Sequence, residues 1–388
     1  MKLSHRAARI EPFHAMAFGE RAAHLEAQGH RVIRLGLGEP DFGAPPAVLA
    51  AAREAMDGRP LPYTPALGLP TLREAIAGFY DDRHDVVVDP ARVAVTVGAS
   101  TALQLALAAI VDPGDEVVLA DPSYPCNRQL VELFGGRAVT VPTTPESRYQ
   151  LTRGDVERAW TERTAAVMVA TPANPTGTTI PASELAAICD LARSRGAWRL
   201  VDEIYLDLAD VSDAGIRPRT ALAHDPDAIV VNSFSKFFGM TGWRLGWCVL
   251  PAELVGPFER LAMNSFLCAP TPAQLAALAC FTPETLAVCE ERRLELLARR
   301  AVLLDGIAAL GLSVPVAPDG AFYVYADVSS MGLDAWEFCR RALEEAHVSI
   351  TPGRDFGVAT ADTHVRFSYT ASRADIAEAL ERLGRLLR

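Results

Sequence analysis

Lysine is almost missing from this chain. Of its 37 basic residues only two are lysines, Lys2 and Lys236, and all the others are arginines. A chain so biased uses arginine wherever a plain positive charge serves. A guanidinium stays protonated and is a poor nucleophile, so imine formation is one task it cannot perform. A lysine amine can lose its proton and join a carbonyl. Lys2 sits at the terminus and carries no assignment. Lys236 lies mid-chain, behind the apolar run Ile229-Val230-Val231, which reads as a buried strand. A lone lysine is ordinarily a solvated surface residue. The arginine bias and the residues around Lys236 set this one apart.

Other scarcities narrow the function class. Basic residues are outnumbered 37 to 48, a formal net charge of −11, so the basic face of a nucleic-acid binder is not expected. No uninterrupted apolar run approaches membrane-spanning length. Met1 to Pro12 is charged and lacks an apolar signal core, so a cytoplasmic protein is expected. The seven cysteines include no C-x-x-C pair and read as reduced thiols, most of them packed in the core. No Cys/His cluster has ligand spacing, so no metal is expected.

What the chain does have is alternation. Its 388 residues, half of them hydrophobic, suffice for about two domains. Apolar runs at 93–97, 116–120, 137–141, 165–170, 199–201, 229–231 and 247–250 alternate with helical stretches, among them 71–80, one from the small residues after Gly98 to Val111, and one capped by Ser183 and closed by Gly196. This pattern predicts an α/β fold whose large domain has a mainly parallel sheet sandwiched by helices. After residue 270 the character changes. Thr282 as N-cap and Pro283 open a long helix to about Leu310. Strands at 314–316, 321–325 and 363–369 and helices at 335–346 and 374–387 then form a smaller α+β domain.

In such sheets ligands bind beyond the carboxyl ends of the strands. There this sequence places Ser100, Tyr124, Asn174, Asp202 and Lys236. Gly98-Ala99-Ser100 joins a strand to a helix, a geometry that aims free N–H groups at an anion. Tyr124, between two prolines, offers a flat face; it could equally pack a corner. Asp202, at the inner end of a strand, needs a partner such as a protonated ring nitrogen. Ser233, Ser235 and Arg244 suit a phosphate, and Lys236 suits a carbonyl. An aldehyde, a phosphate and a basic ring nitrogen occur together in pyridoxal phosphate. Arg366, flanked by apolar residues in a strand, is either a packed ion-pair partner or a fork for a carboxylate.

With Ser233-Phe234-Ser235-Lys236, Gly242-Trp243-Arg244-Leu245-Gly246, Asn174-Pro175-Thr176-Gly177 and Asp202-Glu203-Ile204-Tyr205 in view, the chain resembles the class I/II pyridoxal-phosphate-dependent aminotransferases, with the fold of aspartate aminotransferase (fold type I). The likeness covers nearly the whole chain. It implies that Lys236 holds the cofactor as an internal aldimine and shuttles the proton between the substrate α-carbon and the cofactor. Asp202 would pair with the pyridine nitrogen, and Asn174 and Tyr205 with the phenolic oxygen. Tyr124 would stack on the ring, and Ala99, Ser100, Ser233, Ser235 and Arg244 would hold the phosphate. Arg366 would grip the substrate carboxylate, assisted by Asn174 and the Gly38 backbone, so that Gly36–Phe42, otherwise readable as turn punctuation, becomes a substrate loop. Tyr63 matches the family tyrosine that reaches the neighbouring subunit's phosphate, which implies a homodimer with shared sites. Residues 45–272 would form the large cofactor-binding domain, and 1–44 with 273–388 the small one.

The implied reaction moves an α-amino group from an L-amino acid to a 2-oxo acid. The alternative on the same fold is a β- or γ-lyase or another non-transaminating enzyme. A ligand-sensing regulator would need an added DNA-binding domain, and a cofactor-free relative would not need Lys236, Asp202 and Arg366. The donor's side chain stays open. Arg128 or Arg354 could meet a second carboxylate or equally form surface or interface ion pairs, although in related chains the Arg354 position is often small. Phe18, Phe322 or Phe356 could line an apolar pocket.

Overall fold

The computed structural model describes Ser4, Ala7 and residues 10–388; Lys2 lies outside the described residues. Its strands in chain order are β1 Ile33–Arg34, β2 Val93–Thr96, β3 Glu116–Asp121, β4 Arg137–Pro142, β5 Thr164–Ala170, β6 Trp198–Asp202, β7 Ile229–Ser233, β8 Gly246–Val249, β9 Tyr323–Asp327, β10 Val348–Ser349, β11 Thr351–Pro352 and β12 His364–Ser368. Seven of them form one sheet in the order β2-β8-β7-β6-β5-β3-β4. Only β8 runs against its neighbours, β2 and β7. The mainly parallel sheet expected from the sequence is therefore present.

Both faces of that sheet are covered. Successive strand residues point to opposite sides, and here both sides are apolar. Val95, Val118, Val167, Val169, Val201 and Val230 enter one core cluster. Their neighbours Ala94, Val117, Leu119, Ala166, Met168, Leu200 and Val231 enter the other. Continuous apolar runs, rather than alternating ones, are what a parallel sheet between helix layers requires.

A second, antiparallel sheet of β11-β12-β9 and a short parallel pair, β1 with β10, are built from both chain ends. The helix Pro283–Ala309 spans 27 residues, and Thr282 caps it by accepting from the Thr285 N–H, as its sequence predicts. Two expectations fail. Residues 314–316 form no strand: only Ser313 bridges to Asp327, and Pro315 has no N–H to donate. Ser183 is not a cap: it lies inside the helix Ala182–Ser194, whose N-cap is Pro181. Five cysteines are buried and two half-buried, all as free thiols. No helix among the described residues is long and apolar enough to cross a membrane.

Because β8 reverses between β2 and β7, strands β2, β3, β5, β6 and β7 all end at the same rim. The functional side chains follow those ends.

Candidate active site

At the end of β2 the chain turns through Gly98, with φ +78°, into the helix Ala99–Ile110. A Cβ on Gly98 would lie 2.5 Å from Arg244 Nη2. The missing side chain is what lets the guanidinium reach the helix start, where backbone N–H groups lack intrahelical partners. Arg244 is itself left-handed, at φ +52°, and its Nη1 donates to the Thr241 carbonyl at 2.8 Å. Ser233 Oγ accepts from the Ser235 N–H at 3.0 Å. Positive charge, hydroxyls and free amides thus meet at one end of the site.

Asp202 ends β6. Its Oδ1 accepts from the Ile204 N–H at 3.1 Å. Burial pushes its carboxyl up to about 6, against the opposing pull of that N–H and of Lys236. Lys236, three residues past β7, donates from Nζ to the Gly38 carbonyl at 2.8 Å. Burial, aided by Arg366 and Arg244 and opposed by Glu39 and Asp202, lowers its amine to about 8.

Arg366, central in β12, is buried. Nη1 donates to Asn174 Oδ1 at 2.7 Å and Nη2 to the Gly36 carbonyl at 2.6 Å. Its guanidinium carbon lies over the rings of Tyr323 and Phe356, 4.3 and 4.8 Å from their centroids. Nε has no partner among the described residues, and the guanidinium lines the cavity that the neighbouring functional side chains share. Tyr205 and Tyr323 join their hydroxyls at 2.8 Å.

Lys236, Asp202, Tyr205, Ala99, Ser100, Tyr124, Asn174, Ser233, Ser235, Arg244, Gly38 and Arg366 all line one cavity of about 220 Å3. Tyr63 does not: it is 80% exposed on the surface of the single chain. Reasoning from the sequence missed Phe13 and Tyr323, which line the same cavity, whereas Leu37, also in the lining, belongs to the expected substrate loop. Tyr323 carried a signal, since it neighbours Phe322 in a strand placed beside Arg366. The suggested side-chain partners lie elsewhere. Phe18 packs on Trp336 in the core, Phe322 stacks edge-on against Tyr205, and Phe356 backs Arg366. Arg128 bonds the Asp355 carbonyl and pairs with Glu11, while Arg354 pairs with Asp362.

Comparison with known proteins gives this arrangement a family. The family described as "Aminotransferase class I and II" matches residues 30–383. The chain belongs to it. The valine–pyruvate aminotransferase of Mycobacterium tuberculosis is 39% identical over 97% of this chain and 96% of its own length. The aspartate/prephenate aminotransferase of Thermus thermophilus is 37% identical over 99% and 98%. Among solved structures, an aminotransferase from Mycobacterium tuberculosis superposes with a TM-score of 0.95 at 39% identity, covering 100% of this chain and 99% of that one. The Thermus thermophilus aspartate aminotransferase with maleate superposes at 0.93 and 36% identity, covering all of both chains.

This aminotransferase is a pyridoxal-phosphate-dependent transferase that moves an amino group between an amino acid and a 2-oxo acid. The residues present fit that cofactor. Gly98 opens a cradle that a Cβ would fill. Asp202 is a buried carboxylate that, among the described residues, is bonded only through Oδ1 to one backbone N–H, and a cationic ring nitrogen would complete it.

Proposed function

We propose that this cavity performs the amino transfer with Lys236 as its reactive amine, on L-α-amino acids, in a cytoplasmic homodimer. The observation that carries the reading is the position of Lys236 Nζ, in one cavity with Asp202, Arg244 and Arg366 and lowered to about 8. Bound pyridoxal phosphate supplies an aldehyde that amines join and a protonated ring that draws electrons from the α-carbon. Ala99, Ser100, Ser233, Ser235 and Arg244 are the residues that would hold its phosphate. Asp202 would hold the proton on its ring nitrogen, and Tyr124 would cover its face. Asn174 gives its oxygen to Arg366, which leaves its NH2 free to donate to the phenolic oxygen beside Tyr205.

Arg366 would bind the substrate carboxylate and fix the α-carbon. Lowered to about 8, the amine is free in a far larger fraction near neutral pH than an ordinary lysine, so Lys236 can take the α-proton and return it one atom further along. The exposed Tyr63 and Leu61, on a loop braced by the Thr271 hydroxyl at Pro62, support a second copy covering this face. We read residues 45–272 as the large domain, and 1–44 with 273–388 as the small one.

A single-turnover screen tests the reading. The loaded protein receives one amino acid at a time without any 2-oxo acid, and cofactor and products are weighed by mass spectrometry. Pyridoxamine phosphate with the matching 2-oxo acid is expected. Ammonia with the aldehyde cofactor regenerated would make it a lyase.

A further inference from the structure

We propose that Arg83 is a positioning residue that sets Lys236 against Tyr205 from behind the cavity. This rests on that cavity being the amino-transfer site. Inside it the two side chains face each other, with Lys236 Nζ 5.8 Å from the centroid of the Tyr205 ring. Behind it their chain neighbours meet on one guanidinium. Arg83, in the helix Pro70–His84, donates from Nε to the carboxylate of Asp207, two residues past Tyr205. The same guanidinium covers the ring of Phe237, next to Lys236, with its carbon 4.6 Å from the centroid. None of Arg83, Asp207 and Phe237 is in the cavity lining. Arg83 instead borders a separate hollow of about 450 Å3.

Local bonds do not supply this link. The Leu208 N–H donates to the Tyr205 carbonyl at 2.9 Å, and the Gly239 N–H to the Lys236 carbonyl at 3.2 Å. Each closes its own turn. The ladder between β6 and β7 ends at the pair Asp202 and Val231, short of both side chains. Arginine suits the crossing, because a guanidinium can bond a carboxylate at its edge while stacking a ring on its face. Asp207 is buried and needs a countercharge. His84 Nε2 lies 3.6 Å from it, but burial lowers that imidazole and keeps it neutral, so the charge is left to Arg83. The far side of Arg83 is steadied by Glu290 on the helix Pro283–Ala309, 3.6 Å from Nη2. Glu290 is itself held by Arg293 at 2.6 Å and Arg217 at 3.1 Å. The brace is thus anchored in a long helix rather than in the turns it joins.

The test follows capture of pyridoxal phosphate by the cofactor-free chain at pH 9, above the lowered value of the amine. Stopped-flow absorbance gives the rate, and circular dichroism fixes the folded fraction of each variant. Folded Arg83→Met should capture at least about tenfold more slowly than wild type. Loaded with cofactor, it should lose kcat by a similar factor while KM for the donor stays within about threefold, because Arg366 is untouched. Arg83→Lys, which keeps the charge and gives up the planar stack, should recover part of the loss. Phe237→Leu leaves every ion pair in place and removes only the stacked ring; it should slow capture about threefold or more. Capture at the wild-type rate by folded Arg83→Met, or by Phe237→Leu if Arg83→Met does not fold, overturns the proposal and leaves the amino-transfer site standing. A loss confined to KM overturns it as well. A wild type that captures no faster than Lys236→Arg would sink both readings.

Discussion

Lys236 Nζ donates to the carbonyl of Gly38 at 2.8 Å, tying the loop after β7 to the turn after β1. A Cβ on Gly38 would lie 1.7 Å from the Tyr323 hydroxyl, so the carbonyl reaches the amine only because residue 38 is glycine. One contact joins the reactive amine, the substrate loop and the tyrosine under Arg366. Replacing Lys236 by arginine keeps a donor for Gly38 and removes the only amine that the described residues bring to the cavity. Lys236→Arg should fold and still bind pyridoxal phosphate, with its transamination rate down by at least roughly 10³-fold, the scale of a lost general base. Steady-state assays beside circular dichroism would check both halves.

The lowered amine has a pH signature. Below about 8 Lys236 holds its proton and cannot bond a carbonyl; above it the amine is free. Capture of added pyridoxal phosphate by the cofactor-free chain should therefore speed up by about tenfold per unit from pH 6 to 8 and level off beyond. Stopped-flow absorbance would follow it. A rise continuing past pH 9 would mark an ordinary lysine. After burial, Arg366 is the next cause of the lowering, so Arg366→Gln should move the midpoint upward.

Much of this site was legible in the sequence because polar residues or glycine interrupt apolar strands at their ends: Asp202 after Leu200-Val201, Asn232-Ser233 after Val230-Val231, Gly98 after Val97. In a parallel sheet those interruptions share a rim, and the near-absence of lysine singled out Lys236. Phe13 was not legible. Its place depends on the cap that Asp355 gives the helix His14–Ala27, 341 positions away from His14, and no local pattern encodes a contact at that separation. Arg128 and Arg354 stayed open for the same reason: the ion pairs that the sequence also allowed, with Glu11 and Asp362, form only in the fold. Residues 314–316 misled differently: two valines mimic a strand, but Pro315 cannot join a ladder. Tyr63 meets nothing in the cavity of one chain, and only a second copy would test its role.

Glu203, beside Asp202, is buried and accepts from the Thr220 hydroxyl at 2.7 Å and the Ala221 N–H at 2.6 Å. Burial pushes it up to about 8. Unfolded, it ionises near its usual 4.5; folded, it keeps its proton to about 8. The folded chain binds more protons across that window, so stability falls as pH rises through it, by up to about 1.4 kcal/mol per unit. Asp202 acts in the same sense, but only up to about 6. Urea unfolding of the cofactor-free protein at pH 6 and 8 isolates Glu203 when wild type is set against Glu203→Gln, because the opposite slope from His84 and His364, both lowered by burial, is common to the two. Wild type should lose stability between the two, and Glu203→Gln, which has no proton to lose, should show a clearly smaller loss. Equal slopes would mean Glu203 is ionised in the fold.

Gly98 tests the anion end without replacing a charged group. Its φ of +78° suits glycine, and alanine there costs about 1 kcal/mol or more in backbone strain. The added Cβ would also sit 2.5 Å from Arg244 Nη2. The guanidinium is the mobile partner and must move away from the helix start. If that end holds phosphate, Gly98→Ala should weaken pyridoxal phosphate binding by about tenfold or more, the worth of one charge-assisted contact. Pyridoxal, which has no phosphate, should lose much less, because the lysine and aspartate ends are untouched. Equilibrium dialysis with both compounds separates the two effects. Equal losses would mean the turn distorts the whole rim, and no loss would place the phosphate elsewhere.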